Sequence, residues 1–398
     1  MALGAATCAP PTAGVGAVPS AETAEPEIRV GLVSSGDTAS VGGGGALLFG
    51  GPDGAGLSEL PGGTEATLVG GADGIRLRLG AIETTPARTL SIRARDQGGT
   101  VRVGGREYRG EILVAQAEAG LMVVNAVSLE EYLAGVVSAE MGRRPDVDRE
   151  AMYAQAVISR TVAVRSLGRY RVRGYDLMGT VADQAYAGVG TESDLAWEAV
   201  RATRGQVVTY GGAVIEAFFH STCGGRTEAV EDAFSGGPQR YLSSISDRDP
   251  SGQAYCRLSP RFEWNERWSG AQLARGLRES GIRSDGPPAD LVVEGLTGSG
   301  RVAAIRAVVG GRGVVVRGQN EIRRVLRRDG GGILWSTRFR LQVSRSGGKV
   351  VEVSASGGGN GHGVGMCQWG AIGRARAGAD YREILSAYFP GTEIRRFY

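Results

Sequence analysis

Asn125-Ala-Val-Ser-Leu-Glu-Glu-Tyr-Leu-Ala-Gly-Val-Val-Ser-Ala-Glu-Met141 changes its period partway through. Up to Val127 it continues the apolar run that starts at Leu121 and reads as a strand. From Ser128 the apolar residues fall at Leu129, Tyr132, Leu133, Val136, Val137 and Met141, which is helical spacing. Ser128 with Glu131 three residues later is a capping-box pattern, and Glu130 and Glu131 suit the positive end of a helix dipole. Glu140 falls on the apolar stripe at the next step. A carboxylate there costs free energy unless it is paired or protonated. Two readings stand: a structural Glu bridged to an Arg, or an acid held neutral by apolar surroundings and available for proton transfer.

Outward toward the N-terminus the chain reads as β. Ile28–Val33, Ala66–Val69, Ile75–Leu79, Leu90–Ala94, Thr100–Val103 and Ile112–Val114 alternate between apolar and polar residues, with Gly-Gly, Asp-Gly and Pro turns between them. Toward the C-terminus a second helix is expected over Glu150–Leu167, with Asp148 as N-cap and Gln155, Ser159 and Arg160 as its polar members. Arg160 either turns inward toward a carboxylate or a sugar, or is solvated. A further helix is expected over Leu195–Thr203. Gly211-Gly212 marks a hairpin that places His220 at a strand end, and a Gly-rich loop, GGGNGHGVGMCQWG, occupies 357–370. That loop lacks the Lys-Ser/Thr of a phosphate cradle. Strands return over 291–317 and 339–353, and short helices are expected over 273–280 and 321–328. The fold class is α+β: a β-rich N-terminal part, 28–127, then a mixed core, 128–398, comprising a helical segment 128–205 and a β and loop segment 206–398.

Composition narrows the functions. The chain has 398 residues, 42% apolar and 22% charged, which excludes a wholly disordered or fibrous protein. Lys+Arg 45 against Asp+Glu 42 leaves a net charge of +3 and argues against a nucleic-acid binder. No apolar run approaches the ~20 residues of a membrane span. A single lysine, Lys349, leaves almost no candidate for Schiff-base chemistry. Gly accounts for 66 residues, more than twice the usual ~7%, as a turn-rich chain requires. Residues 1–27 read as a disordered segment. The small residues before Cys8 resemble the end of a lipoprotein signal, so export with a lipid anchor at Cys8 is expected.

The cysteines are Cys8, Cys223, Cys256 and Cys367, and the histidines are His220 and His362. Each histidine precedes a cysteine closely, so His220, Cys223, His362 and Cys367 form a candidate zinc set, although their spacing is not that of a standard finger. In an exported chain a Cys223–Cys256 disulfide is the stronger expectation. Unrelated buried thiols are the third alternative.

Several segments together resemble the family of stage II sporulation protein D and the amidase enhancer LytB. They are YRGEILV from Tyr108, NAVSLEEYLAGVVSAEM from Asn125, AMYAQAVISRTVAV from Ala151, DQAYAG from Asp183, FFHSTCGGRTE from Phe218, STRF from Ser336 and GHGVGMCQWGAIGRARAG from Gly361. The likeness runs from Ile28 to Tyr398 in the family's order. It implies a bacterial cell-wall protein outside the cytoplasm, with a substrate groove in its core. The activity implied is that of a lytic transglycosylase, which cleaves MurNAc–GlcNAc bonds of peptide-stripped glycan strands and leaves 1,6-anhydroMurNAc ends. The alternative is a non-catalytic amidase enhancer or peptidoglycan-binding protein that partners an N-acetylmuramoyl-L-alanine amidase. The family's catalytic glutamate falls on Glu140, where helical spacing had already singled out a carboxylate. Tyr153, Gln155 and Arg160 are then expected to orient sugar hydroxyls, with His220, His362 and Gln368 lining the groove. Tyr153 departs from the pattern, because a Lys is common at that position and Tyr carries no charge at neutral pH. No cofactor is expected, with zinc as the lesser alternative.

Overall fold

The computed structural model describes residues 24–32, 36–51, 56–118, 120–180 and 183–398. The expected leader and the Cys8 anchor lie outside the described residues. The chain forms two compact units. The N-terminal unit takes the described residues up to Glu216 and regains Ile394–Tyr398 at the end of the chain. The C-terminal unit is Ala217–Glu393.

Alternation builds the sheets of the N-terminal unit. In Glu27–Leu32, Ile28 and Val30 are buried while Glu27 and Arg29 are exposed, so one face of the strand meets the core. This strand pairs antiparallel with Gly120–Ser128, setting Ile28 opposite Val127 and Val30 opposite Asn125. The larger sheet runs, edge to edge, Leu177–Met178, Glu27–Leu32, Gly120–Ser128, Glu111–Ala117, Thr89–Ala94, Leu47–Gly50 and Ser58–Leu60. A six-stranded sheet, in the order Arg106–Tyr108, Val101–Val103, Thr38–Gly42, Glu65–Gly71, Gly74–Leu79 and Ile82–Glu83, packs against it.

The helices follow where the period changes. Helix α1 is Leu129–Met141, capped by Ser128, whose hydroxyl accepts the Glu131 amide at 3.4 Å. The reciprocal half of the expected capping box is absent: the Glu131 carboxylate meets the Ser128 hydroxyl at 3.2 Å. Helix α2 is Arg149–Ser166, with Asp148 at the N-cap position, and α3 is Asp194–Ala202, capped by Ser193. The three helices pack on one another. Gly211 and Gly212 take φ of 58° and 82°, the left-handed pair a two-residue hairpin needs, and join Gln206–Tyr210 to Ala213–Val214. Glu393–Arg396 completes that small sheet.

In the C-terminal unit the helices are α4 (Val230–Ala233), α5 (Gly270–Glu279), α6 (Gln319–Val325), α7 (Gln368–Arg376) and α8 (Tyr381–Tyr388). One three-stranded sheet sets Lys349–Gly357 between Trp264–Ser269 and Phe339–Ser346; another sets Val302–Val309 between Asp290–Leu296 and Arg312–Arg317. Leu273 and Leu277 of α5 and Ile322 of α6 close a core with Leu291, Ile305 and Val353, all fully buried. Each such side chain contributes roughly 1.5–3 kcal/mol by leaving water. Residues 221–262 differ. They hold only the one-turn α4, two short 3-10 turns and isolated bridges. The α+β class expected from the sequence is the class observed.

Candidate functional site

Glu140 lies in the last turn of α1, half-buried at the edge of the stripe that spacing had assigned it to. Helix α1 is buried on nearly every side, so the apolar stripe is wider than its sequence pattern. The carboxylate Oε1 accepts the backbone N–H of Ala185 at 2.8 Å. That amide belongs to the Asp183–Gly188 loop, which is fixed on both sides. Tyr132 of α1 donates to the Gln184 side chain at 3.1 Å, and Tyr186 donates to Asn125 at 2.8 Å. Asn125 in turn donates to the Arg109 and Glu111 carbonyls, and the Tyr132 and Tyr186 rings meet with centroids 4.9 Å apart. Asp183 pairs with Arg169 at 3.2 Å and accepts the Met178 amide. A loop tied down at three points therefore sets the orientation of one carboxylate. Burial pushes the Tyr132 and Tyr186 phenols up, so both are neutral donors at any ordinary pH. A cleft of about 510 Å³ opens at the other end of α1, where Ser128, Glu131, Arg109 and Arg93 line it. Glu131 and Glu140 are nine residues apart, about 13.5 Å along a helix, so this cleft does not hold Glu140.

The α2 residues expected to touch substrate do other work. Arg160 is fully buried. Its guanidinium meets Glu130 through two bonds of 2.9 and 2.6 Å and donates to the Thr203 hydroxyl and to the Gln206 and Val200 carbonyls. All five donors are used, and the Tyr398 hydroxyl also bonds Glu130. Arg160 holds the helices and the chain terminus together and cannot reach a sugar. Glu130 is thus a structural carboxylate paired with an Arg. Gln155 is also fully buried and donates to Ser159 at 3.0 Å. Tyr153 is partly exposed and donates to Glu198 at 2.6 Å; burial, then the Glu198 bond, pushes its phenol up to about 12.

The expected residues of the C-terminal unit serve its own loops. The short parallel strands Phe219–His220 and Met366–Cys367 pair side by side. His362 Nδ1 accepts the Val364 amide at 3.1 Å, so its Nε2 carries the proton and donates to the Phe219 carbonyl at 3.0 Å. His220 Nδ1 bonds the Val364 carbonyl at 3.1 Å, and its Nε2 has no partner among the described residues. The histidines thereby hold the 361–365 loop. Gln368 is buried at the start of α7. Arg301, buried as deeply, donates to the Cys223 carbonyl at 3.0 Å and lies 4.0 Å from Glu228.

The candidate zinc set is not brought together. Cys223 and Cys367 meet Cys256 and Asp247, and the two histidines are engaged elsewhere. The expected disulfide is not formed either: the Cys223 and Cys256 sulfurs are 3.6 Å apart, and among the described residues Cys223, Cys256 and Cys367 are free thiols. Burial pushes Cys223, Cys367 and Asp247 up, while bonds from Cys223 and then Cys367 pull Cys256 down. Asp247 and the Ala185 amide are the contributors that sequence reasoning missed. No local pattern marks an aspartate 24 residues from its thiol partner, and a backbone amide has no residue-type signal.

An α+β protein with a glutamate fixed at the end of a buried helix is the class that fold and site define. The family described as stage II sporulation protein matches residues 117–210, the segment that carries α1, α2 and α3. A domain of unknown function, DUF8618, matches residues 251–365. A stage II sporulation protein D of Bacillus subtilis is 30% identical over 286 residues, covering 68% of this chain and 75% of that one. An uncharacterized protein of Brachyspira hyodysenteriae is 29% identical over 293 residues, 73% of each chain. The amidase enhancer of Bacillus subtilis is 27% identical over 304 residues, with 67% of this chain covering 40% of that protein. The chain belongs to the family of stage II sporulation protein D and the amidase enhancer. Among the described residues no helix is long and apolar enough to cross a membrane.

Proposed function

We propose that this chain acts outside the cytoplasm on peptidoglycan and cleaves its glycan strands as a lytic transglycosylase. Family membership supports the cell-wall role. The observation that carries the cleavage reading is Glu140, a half-buried carboxylate whose Oε1 is oriented by the Ala185 amide within the family-matched segment. In its protonated form Glu140 gives its proton to the glycosidic oxygen between MurNAc and GlcNAc as the bond to MurNAc C1 breaks. Its carboxylate then takes the proton of the MurNAc C6 hydroxyl while that oxygen attacks C1, and the product is a 1,6-anhydro sugar. One carboxylate serves both steps, so no second Asp or Glu of the ordinary glycosidase pair is needed.

A second reading, a non-catalytic amidase enhancer or wall-binding protein, is favoured by α2. Arg160 is fully buried and bonded to Glu130, and Tyr153 bonds Glu198, which are structural roles rather than the sugar-orienting ones expected of that helix. Mass spectrometry of peptide-stripped glycan strands after incubation with wild type and Glu140→Gln separates the two. Anhydro-ended fragments from wild type alone are expected, with the variant slower by about 10²–10⁴-fold. No fragments from either protein would leave the enhancer reading, and equal cleavage by both would remove Glu140 from the chemistry.

A further inference from the structure

The thiols of Cys223, Cys256 and Cys367 and one oxygen of Asp247 all lie within 4.8 Å of one another, and all four residues are fully buried. They come from four separate places: the loop after Phe219–His220, an irregular segment, the turn Tyr255–Leu258 and the start of α7. We propose that these four residues bind one zinc ion in a closed tetrahedral structural site.

The distances match that polyhedron. Zinc–sulfur bonds of about 2.3 Å place tetrahedral sulfurs about 3.8 Å apart, and a carboxylate oxygen slightly nearer. The Cys223 and Cys256 sulfurs are 3.6 Å apart, and Asp247 Oδ2 is 3.2 Å from the Cys223 sulfur.

Backbone donors surround the sulfurs as thiolate ligands require. The Cys223 and Gly370 amides point at the Cys367 sulfur at 3.1 and 3.3 Å, and the Gly225 amide points at the Cys223 sulfur at 3.3 Å. Gly224 and Gly225, at φ 77° and 95°, make the left-handed turn that aims this last amide back at the sulfur. Cys367 also caps the N-terminus of α7, where the helix dipole favours an anion.

Asp247 divides its carboxylate. Oδ1 accepts the Tyr388 hydroxyl at 2.8 Å and the Arg374 guanidinium at 3.1 Å, leaving Oδ2 toward the sulfurs. Such outer partners orient a ligand and balance the charge of the site. A Cys223–Cys256 disulfide would use two of the three sulfurs and leave Cys367, with its two amide donors, no anionic role. The site has no open position, which marks a structural ion rather than a catalytic one. It would tie together the 221–262 segment, which has little regular structure of its own.

The test uses the full chain, expressed with zinc and purified under reducing conditions without chelator. Elemental analysis is expected to give one zinc per chain. X-ray absorption is expected to show three sulfurs at about 2.3 Å and one oxygen at about 2.0 Å. A chain that takes up less than a tenth of an equivalent from added zinc would overturn the site, as would imidazole in the first shell. Tyr388→Phe keeps all four ligands and removes one outer bond. Competition against a chromophoric chelator should then show zinc held about 10–100-fold more weakly. Unchanged affinity would take Asp247, as positioned by Tyr388, out of the ligand set.

Discussion

In the N-terminal unit the buried Arg160–Glu130 pair is enclosed by three helices, and every donor of the guanidinium has a partner supplied by a regular element or its end. In the C-terminal unit the buried cluster of Cys223, Asp247, Cys256 and Cys367 sits among loops with few strand or helix bonds nearby. The first arrangement satisfies buried charge with hydrogen bonds that the secondary structure aligns. The second gathers soft and anionic donors where secondary structure is sparse, the arrangement from which the zinc proposal is drawn. Glu140 stands on the first kind of scaffold, at the end of α1 and against the loop that Tyr132 and Tyr186 tie down.

The largest expected effect breaks the scaffold side of this comparison. Arg160→Ala leaves Glu130 buried and unpaired and should cost about 3–5 kcal/mol. Urea unfolding followed by Trp197, which lies in that unit, measures it. The double variant Arg160→Met with Glu130→Leu should recover part of the loss, since it removes the unpaired charge but leaves the Tyr398 hydroxyl and the Val200 and Gln206 carbonyls short of a partner. A single variant as stable as wild type would mean that the pair is not what holds the helices.

A smaller effect sharpens the link between scaffold and site. Tyr186→Phe leaves the buried Asn125 oxygen without its donor and should cost about 1–3 kcal/mol. It should also slow strand cleavage, because the Ala185 amide moves with its loop. Full activity with the same loss of stability would separate the loop from Glu140.

The smallest effect at neutral pH concerns the C-terminal unit. His362, whose ring is enclosed by Phe218, Phe234 and His220, is pushed down to about 3 by burial and then by Arg323. Burial also holds His220 well below its ordinary value. Both imidazoles are neutral in the folded unit and gain protons on unfolding below about pH 6.5. The unfolded chain then binds more protons, so this stability is full above pH 6.5 and falls as the pH drops from there toward 3. Glu228, raised by burial, offsets part of the loss in the carboxylate range. Trp264, Trp268, Trp335 and Trp369 all lie in this unit, so tryptophan fluorescence reads it. Denaturation midpoints that stay level from pH 7.5 to 4.5 would show that the histidines are not buried neutral.

Much of the scaffold was legible in the sequence. The change of period at Ser128 located α1 and its cap to the residue, and Gly211-Gly212 located the hairpin. For Arg160 the sequence offered a carboxylate, a sugar or solvent, and the structure selects the carboxylate, that of Glu130, 30 residues away, a partner that no local pattern names. Among the cysteine readings, Cys223 and Cys256 do lie side by side, whereas the set that added the histidines does not assemble, because nearness in sequence put each histidine beside a cysteine while the fold turned both rings onto backbone groups.

The sequence by itself determined many of the elements, the α+β class and the carboxylate at the end of α1, since periodicity and caps act over a few residues, while strands such as Thr38–Gly42 and Leu47–Gly50 carried too short a pattern to be read. Only the tertiary structure decided which charges pair and which donors share a point in space. Cys223 and Cys367 are 144 residues apart, and Glu130 and Tyr398 are 268 apart. Contacts at such separations are set by how the elements pack, because burial forces each polar group to find a partner wherever the chain brings one.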